Sequence, residues 1–360
     1  MKMPTVVIHE EIRKGGAISF ARFMELALYC PETGYYEKNQ DSVGRTGDFI
    51  TSVSTGSLFG ELLAVQFTRW LGELRIADSG LRIVEAGAHD GALAADILRW
   101  LERFRPGLLS EIEYVILEPS LRRQAWQREK LKQFSNVRWI SQFSGSTVQR
   151  VDGIIFGNEL LDPFPTRRLG WDAKVGKWFE WGVTLSGETF AWVRLEEVLQ
   201  PPAICLQPPE LLAVLPDNYT LEISPAAENW WRVAAGILAR GKLVAIDYGF
   251  TAAEQFSAAR LNGTLRAYHR HRATDDLLAN PGEQDLTAHV NFPAIQKAGE
   301  AAGLKTESFC TQPQFLTRIL AGAVKDKSLA SLDAKQVRQF QTLTHPEHLG
   351  SAFRVLVQSR

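Results

Sequence analysis

Two carboxylates follow two short apolar segments of the chain. Glu85 ends the segment 81–85, and Glu118 follows the segment 114–117. Short apolar runs predict buried strands, and parallel sheets bind ligands at the carboxyl ends of their strands. Both carboxylates are therefore expected at one ligand-binding edge, where they suit a cationic ligand that also carries hydroxyl groups.

The turn after the first strand decides between two classes of ligand. It reads EAGAHDG over residues 85–91 and leads into helical spacing of apolar residues. A dinucleotide-binding turn reads G-x-G-x-x-G and holds pyrophosphate with its amides, but only Gly87 and Gly91 fit that frame. The pattern favours S-adenosylmethionine over a nicotinamide dinucleotide, with Glu118 accepting from the ribose hydroxyls and Glu85 favouring the positive end. The alternative is that both acids are solvated strand ends.

A third polar segment follows the predicted strand 151–156. Asn158 would contact cofactor or substrate through its amide. If the methyl acceptor is an arginine, Glu159 and Asp162 could hold the fork of its guanidinium, which is protonated at neutral pH and needs carboxylates that orient it and favour proton loss. Alternatively, Asp162 caps the turn before Pro163. The segment Asp162-Pro163-Phe164-Pro165 has the residue types of the amino-methyltransferase signature N/D-P-P-Y/F in a different order. DNA methylation is therefore disfavoured.

A doubly wound sheet would bring these segments together. The spacing of apolar residues predicts helices at 5–30, 56–75, 121–134, 293–302 and 313–322, strands at 136–140, 242–247, 304–310 and 353–358, and antiparallel hairpins at 169–195. The predicted fold class is α/β, a Rossmann-like class I methyltransferase sheet with an N-terminal helical cap and an inserted β-hairpin and loop region. The cap is expected at 1–78 and the sheet domain at 79–360, with insertions at about 169–215 and 252–292.

The composition bounds the class of protein. A chain of 360 residues with 45% hydrophobic and 22% charged residues is globular, and a formal net charge of -1 gives no sign of nucleic-acid binding. Cys30, Cys205 and Cys310 are widely spaced, which argues against a disulfide framework and against zinc. The spaced His269 and His271 lack the partners of a metal site, so no metal is expected. Without a recognisable secretory signal or membrane segment, the protein is expected to be cytoplasmic.

Several motifs, taken in order, resemble those of the MidA family of bacterial and mitochondrial S-adenosylmethionine-dependent methyltransferases. They are GYY at 34–36, GDFITS at 47–52, the Glu85 turn, EPS at 118–120, NELLD at 158–162, DYG at 247–249, GTLRAY at 263–268 and DLTAHVNF at 285–292. Mitochondrial members methylate an arginine of a respiratory complex I subunit. The resemblance therefore implies S-adenosylmethionine as cofactor and a protein substrate with an acceptor arginine, with a respiratory complex subunit as one candidate.

The resemblance also assigns site residues. It implies contacts to the cofactor from Gly47, Asp48, Thr51, Glu85, Gly87, His89, Gly91, Glu118, Pro119 and Asn158. It also implies a catalytic role for His289, in addition to the catalytic roles expected for Asn158, Glu159 and Asp162. The family's turn reads E-x-G-x-G-x-G, whereas His89 replaces the middle glycine here. Its side chain could crowd the cofactor, or point away if its φ angle is negative.

Three functions fit these observations. A protein arginine methyltransferase is favoured by the resemblance and by the acidic segment 158–162. A small-molecule O- or N-methyltransferase would use the same fold, because fold does not determine substrate. A binding or assembly protein without turnover is the third, and His89 is the observation that motivates it. The sequence does not determine the oligomeric state, and a dimer is among the states compatible with it.

Overall fold

The computed structural model describes residues 2–38, 51–74, 80–143, 150–198, 209–257, 260–269, 272–326 and 332–360. In chain order the helices there are α1 (Pro4–Gly15), α2 (Phe20–Tyr29), α3 (Tyr35–Lys38), α4 (Leu58–Leu74), α5 (Ala92–Phe104), α6 (Pro106–Glu111), α7 (Leu121–Leu131), α8 (Pro209–Leu212), α9 (Pro225–Ile237), α10 (Ala252–Gln255), α11 (Phe292–Ala301), α12 (Gln312–Lys325) and α13 (Ala334–Thr344). The strands are β1 (Ile18–Ser19), β2 (Leu81–Ala86), β3 (Ile112–Leu117), β4 (Val137–Ile140), β5 (Val151–Asn158), β6 (Arg167–Asp172), β7 (Lys177–Ser186), β8 (Thr189–Glu197), β9 (Thr220–Ile223), β10 (Leu238–Phe250), β11 (Arg266–His269), β12 (Arg272–Thr274), β13 (Asp285–Thr287), β14 (Val290–Asn291), β15 (Lys305–Thr311) and β16 (Phe353–Ser359).

The chain forms two compact units. The sheet unit comprises Gln40–Leu161, Trp230–Gly249 and Ile295–Arg360, and the insert unit comprises Met1–Asn39, Asp162–Asn229 and Phe250–Ala294. This division differs from the predicted boundary at residue 78. Helix α4 buries its apolar face in the core of the sheet unit, whereas α1 and α2 share a core with strands from the predicted insertions.

The sheet unit is built on a central, mostly parallel sheet with the strand order β15-β16-β10-β5-β2-β3-β4. Strands β10, β5, β2, β3 and β4 run parallel, and β16 is antiparallel to both β10 and β15. The predicted α/β class is therefore confirmed. The chain order reverses between β5 and β2, so the carboxyl ends of these two strands form the switch point at which such sheets bind ligands.

Helix α5 begins directly after the turn that follows β2, and it fixes the end of this turn. Its apolar residues Leu93, Ile97, Leu98 and Leu101 recur at helical spacing, and none is more than 4% exposed. They pack in one cluster with α4 and the sheet strands. Burying side chains of this size stabilises the fold by roughly 1.5–3 kcal/mol each. The turn at 87–91 is consequently held between a buried strand and a buried helix.

The insert unit contains the predicted hairpins and one sheet that was not predicted. Strands β6, β7 and β8 form the antiparallel hairpins expected at 169–195, and β1 and β9 extend the same sheet. The segment expected to be irregular contains the three-stranded sheet β12-β11-β13. Its strands have only three or four residues. A period of two residues is hard to recognise over so short a length.

Two helical boundaries also differ from expectation. The predicted helix 5–30 is two helices, because Gly16 has a φ of 85° and ends α1. Helix α13 was not predicted, since its sequence AKQVRQFQTLT is mostly polar. A capping box was the missed signal: the Asp333 side chain accepts from the N–H of Gln336, and the Gln336 side chain accepts from the N–H of Asp333.

Candidate functional site

The turn after β2 has the backbone of a glycine-rich ligand-binding turn. Gly87 has a φ of 72°, His89 of 46° and Gly91 of 83°. Glycine suits position 87 for this φ angle, and a Cβ atom there would also lie 2.9 Å from Cδ1 of Leu160, which would have to shift. Three left-handed residues within five positions turn the chain sharply between β2 and α5.

His89 keeps the conformation that a glycine adopts at this position. A negative φ would have turned its side chain away, but the observed φ of 46° is left-handed, which costs a residue with a Cβ about 1–2 kcal/mol. The carbonyl oxygen of His89 accepts a hydrogen bond of 2.8 Å from Nε2 of Gln127. Burial acts to raise the pKa of the neighbouring Asp90, but His89 and Lys130 outweigh it and hold that pKa well below its usual range.

Glu85 lies beneath the turn in an apolar environment. Its side chain is 2% exposed, and Oε2 accepts a hydrogen bond of 2.6 Å from the Tyr114 hydroxyl. Burial raises the pKa of Glu85 to about 7, and the Tyr114 hydrogen bond opposes this rise. A carboxyl group that loses its proton near neutral pH can form a carboxylate that stabilises a positive charge bound close by.

Glu118 stands at the end of β3 among hydrogen-bond donors. It is 1% exposed. Its Oε1 accepts from the Ser120 N–H at 2.9 Å and lies 3.1 Å from Nε of Arg123, while Oε2 lies 3.4 Å from Nε2 of Gln127. The predicted site residue Pro119, between Glu118 and Ser120, is exposed. Arg123 and Gln127 lie one turn apart on α7, so both of these side chains reach the carboxylate from one helix.

The segment after β5 is held by the end of β10. Glu159 has a φ of 51°, and its N–H donates to the Ile246 carbonyl oxygen at 2.9 Å. The next two amides, of Leu160 and Leu161, donate to Oδ2 of Asp247 at 3.1 and 2.8 Å. Sequence reasoning had quoted Asp247 within the motif DYG without giving it a role. Its burial at 1% and the hydrogen bonds that it accepts from both of these amides identify it as the anchor of this segment.

Asn158 and Glu159 contact each other at the end of β5. Nδ2 of Asn158 donates to Oε1 of Glu159 at 3.1 Å. The other amide atom, Oδ1 of Asn158, is buried and accepts no hydrogen bond from the described part of the chain. A buried amide oxygen of this kind is suited to accept a hydrogen bond from a ligand.

Asp162 and His289 belong to the insert unit. The Asp162 carbonyl oxygen accepts from the Ala288 N–H at 3.0 Å, and the His289 N–H donates to Oγ1 of Thr264 at 3.1 Å. Thr264 in turn donates its N–H and its hydroxyl to Oε2 of Glu222. The motifs NELLD, GTLRAY and DLTAHVNF thus share contacts within this unit. Glu222 was not among the predicted site residues.

Tyr29, Tyr36 and Asp285 form a group of contacts in the insert unit, and the charge of Asp162 acts on Tyr36. The Tyr36 hydroxyl donates to Oδ1 of Asp285 at 2.8 Å, and the Tyr29 and Tyr36 rings stack at 5.6 Å. Burial raises the pKa of Tyr36, and the charges of Asp285 and Asp162 raise it further. Asp285 is fully buried and Asp162 is 7% exposed. Two carboxylates among aromatic rings are suited to a cation.

The remaining predicted residues are placed as follows. Gly47 and Asp48 lie outside the described residues. Thr51 is buried and caps a short turn, since its Oγ1 accepts from the Ser54 N–H at 3.2 Å. The structure brings Glu85, Gly87, His89, Gly91, Glu118, Asn158 and Glu159 into the sheet unit and Asp162 and His289 into the insert unit. The clamp between Glu159 and Asp162 and all the assigned roles stay predictions.

The described ranges contain no cluster of three or more histidine, cysteine or acidic side chains arranged to hold a metal ion. None of their helices combines the length and the apolar character that crossing a bilayer requires.

Comparisons with known proteins agree on one family. A family model described as S-adenosyl-L-methionine-dependent methyltransferase matches residues 62–310. A crystal structure from Burkholderia thailandensis, of a protein described as a methyl transferase and bound to S-adenosyl-homocysteine, is 32% identical with a TM-score of 0.84. The match covers 99% of this chain and 92% of that one.

Curated relatives carry a narrower name. The Drosophila melanogaster protein arginine methyltransferase NDUFAF7 homolog, mitochondrial, is 27% identical over an alignment 389 residues long, and this alignment covers 97% of this chain and 83% of the relative. The human protein arginine methyltransferase NDUFAF7, mitochondrial, is 27% identical over an alignment 380 residues long, which covers 95% of this chain and 80% of the relative.

Proposed function

Because this chain belongs to the family of S-adenosyl-L-methionine-dependent methyltransferases, we propose that it transfers a methyl group to an arginine of a protein partner. The relatives named as protein arginine methyltransferases, aligned over most of the chain, support this acceptor. The cytoplasmic location remains a prediction, whereas both relatives are named as mitochondrial. A respiratory complex subunit as the acceptor and a dimeric state are parts of the proposal that the interaction partners and the solution mass would test.

The sheet unit has the features that the cofactor needs. The turn at 87–91 has the left-handed backbone of a glycine-rich turn, and Oδ1 of Asn158 is buried without a donor among the described residues. Glu118 would accept hydrogen bonds from the ribose hydroxyls of S-adenosylmethionine, and Glu85 would stabilise the positively charged end of this cofactor. S-adenosylmethionine supplies an electrophilic methyl group for an in-line displacement. The protein's task is to align the acceptor nitrogen and to exclude water.

The acidic and aromatic group in the insert unit carries the choice of acceptor. An arginine guanidinium is planar and charged, and it binds carboxylates and stacks on aromatic rings. Asp162 and Asp285, beside the stacked Tyr29 and Tyr36, supply both kinds of partner. A carboxylate that accepts from the guanidinium would also favour loss of its proton as the new N–C bond forms. A neutral small molecule would give these carboxylates no counter-charge.

The acceptor is tested by methylation in a cell extract. Purified protein, S-adenosylmethionine with an isotopically labelled methyl group and extract of the source cells are incubated, and the products are resolved by peptide mass spectrometry. We expect label on an arginine side-chain nitrogen of a protein. Label on a small molecule instead would favour the O- or N-methyltransferase alternative. Absence of S-adenosylhomocysteine binding would favour a binding or assembly protein.

The roles of the two acidic residues are tested on the acceptor found in this way. Glu159→Gln and Asp162→Asn each preserve shape and remove a charge. We expect each to lower the methylation rate about 10- to 100-fold, because a hydrogen bond to a charged group is lost. Circular dichroism and thermal melting check the fold. Near wild-type methylation by folded Glu159→Gln or Asp162→Asn would contradict that residue's role.

A further inference from the structure

Gln127 of α7 touches both ends of the cofactor site in the sheet unit. It is 0% exposed, although glutamine is usually a surface residue. Its Nε2 donates to the carbonyl oxygen of His89 at 2.8 Å and lies 3.4 Å from Oε2 of Glu118. Its Oε1 accepts from Nε1 of Trp139 at 3.0 Å. The site residues predicted from the sequence did not include it.

The partners of Gln127 determine which way its amide faces. An indole N–H can only donate, so the atom facing Trp139 must be the amide oxygen. Both protons of Nε2 are then directed to acceptors, one the carbonyl of the cofactor turn and the other the carboxylate at the end of β3. Every hydrogen-bonding atom of this side chain is used, and a buried amide in that situation has one stable orientation.

His89 makes this contact necessary. Glycine populates left-handed φ angles as readily as right-handed ones, but a residue with a Cβ does not. Here the φ of 46° at His89 needs a stabilising contact, and the Gln127 hydrogen bond is made by the carbonyl of that same residue. Without it, the turn can relax toward a negative φ, which moves the backbone away from the ligand-binding conformation.

We propose that Gln127 is a positioning residue of the cofactor site, which holds the turn at His89 in its left-handed conformation and aligns Glu118 for the ribose hydroxyls. The inference rests on the cofactor site proposed above. It explains how a chain with histidine in place of the middle glycine keeps the backbone of a cofactor turn.

The sheet unit contains a matched control in Gln358 of β16. Gln358 is also 0% exposed, its Oε1 accepts from an indole, Nε1 of Trp231, at 2.8 Å, and its Nε2 donates to the Gln296 carbonyl oxygen at 2.9 Å. It pairs with Leu243 of β10, and strands β10 and β5 separate its strand from β2, so it lies to the side of the switch point. Burial, the indole donor and the carbonyl acceptor match, whereas its second acceptor is Oγ1 of Thr306 at 2.9 Å and not a carboxylate of the cofactor site.

The test measures binding of S-adenosylhomocysteine by calorimetric titration. We expect Gln127→Met to raise the Kd at least about tenfold and Gln358→Met to leave it within about twofold, although both should lower the melting temperature. In a His89→Gly background, Gln127→Met should raise the Kd less than about threefold, because glycine adopts the left-handed conformation without help.

Each outcome decides between the proposals. Equal Kd values for the two single variants and the wild type would overturn the role of Gln127 and leave the cofactor site intact. Failure of the wild type to bind would overturn both. If Gln127→Met does not fold, Trp139→Phe replaces it, since this variant removes the indole donor and keeps an aromatic ring for the Arg128 guanidinium, which lies 4.2 Å from the Trp139 ring. An unchanged Kd in Trp139→Phe would then overturn the inference.

Discussion

The ends of β2 and β3 carry the same residue type in different surroundings. Glu85 and Glu118 are both at most 2% exposed, and their strands are neighbours in the sheet. Glu85 accepts a hydrogen bond from the uncharged hydroxyl of Tyr114, and burial raises the pKa of Glu85 to about 7. Glu118 instead has the Arg123 guanidinium and a backbone amide beside it. Under the proposed function, these two identical side chains would contact different parts of one ligand.

The two carboxyl groups therefore differ in what their surroundings determine: burial sets the protonation of Glu85, whereas hydrogen-bond donors set the orientation of Glu118. Glu85 can change protonation near neutrality, so it can respond when a cation arrives. Glu118 is held in place by α7 and presents a carboxylate in a defined direction. The three predictions that follow test this contrast, beginning with the largest expected effect.

Glu85→Gln should change how stability depends on pH. The raised pKa means that the folded state keeps the Glu85 proton between pH 4.5 and about 7 while the unfolded state loses it. Wild-type stability therefore falls as pH rises through this window. Relative to wild type, the free energy of unfolding of Glu85→Gln should rise by roughly 3 kcal/mol over the same window. Urea denaturation at a series of pH values measures the difference.

Tyr114→Phe sharpens this test. Removing the hydroxyl deletes the hydrogen bond that opposes the rise of the Glu85 pKa, so the window should extend to higher pH. A pH dependence that is identical in wild type, Glu85→Gln and Tyr114→Phe would mean that Glu85 does not titrate as proposed.

Glu118→Gln should weaken binding of the cofactor product. Loss of the charged acceptor for the ribose hydroxyls is expected to cost about 2 kcal/mol, or about 30-fold in the Kd of S-adenosylhomocysteine. Calorimetric titration measures it. Glu113→Gln is the control, because Glu113 begins the same strand and pairs with Arg82 and Arg138 far from the switch point. An equal Kd for both variants would contradict a ribose role for Glu118.

His89→Gly should have the smallest effect. Removing the left-handed strain stabilises the fold, while the greater freedom of glycine in the unfolded chain offsets part of the gain. We expect the free energy of unfolding to rise by about 0.5–1 kcal/mol. His89→Ala is the control, since it removes the ring and keeps the strain. Greater stability of His89→Ala than of His89→Gly, measured by urea denaturation, would show that φ is not the relevant feature.

Much of the sheet unit could be predicted from local pattern. The apolar runs that end at Glu85 and Glu118 are strands, and the amphipathic segments became α4 and α5, because buried strands and helices have distinct periods. The short strands β11 to β13 and the polar helix α13 were missed, since neither shows a clear period. The predicted boundary at residue 78 rests on position along the chain, whereas each compact unit is assembled from segments that are distant in sequence.

The sequence by itself determined the family resemblance, the α/β class, the two strand-end acids and the departure at His89. Each of these is a matter of residue type and spacing along the chain. Only the tertiary structure decided that Gln127 contacts both the His89 carbonyl and Glu118, that Asp247 anchors the amides after Glu159, and that Tyr36 meets Asp285. The physical reason is that hydrogen bonds between distant segments depend on how strands and helices pack, and no local period records that packing.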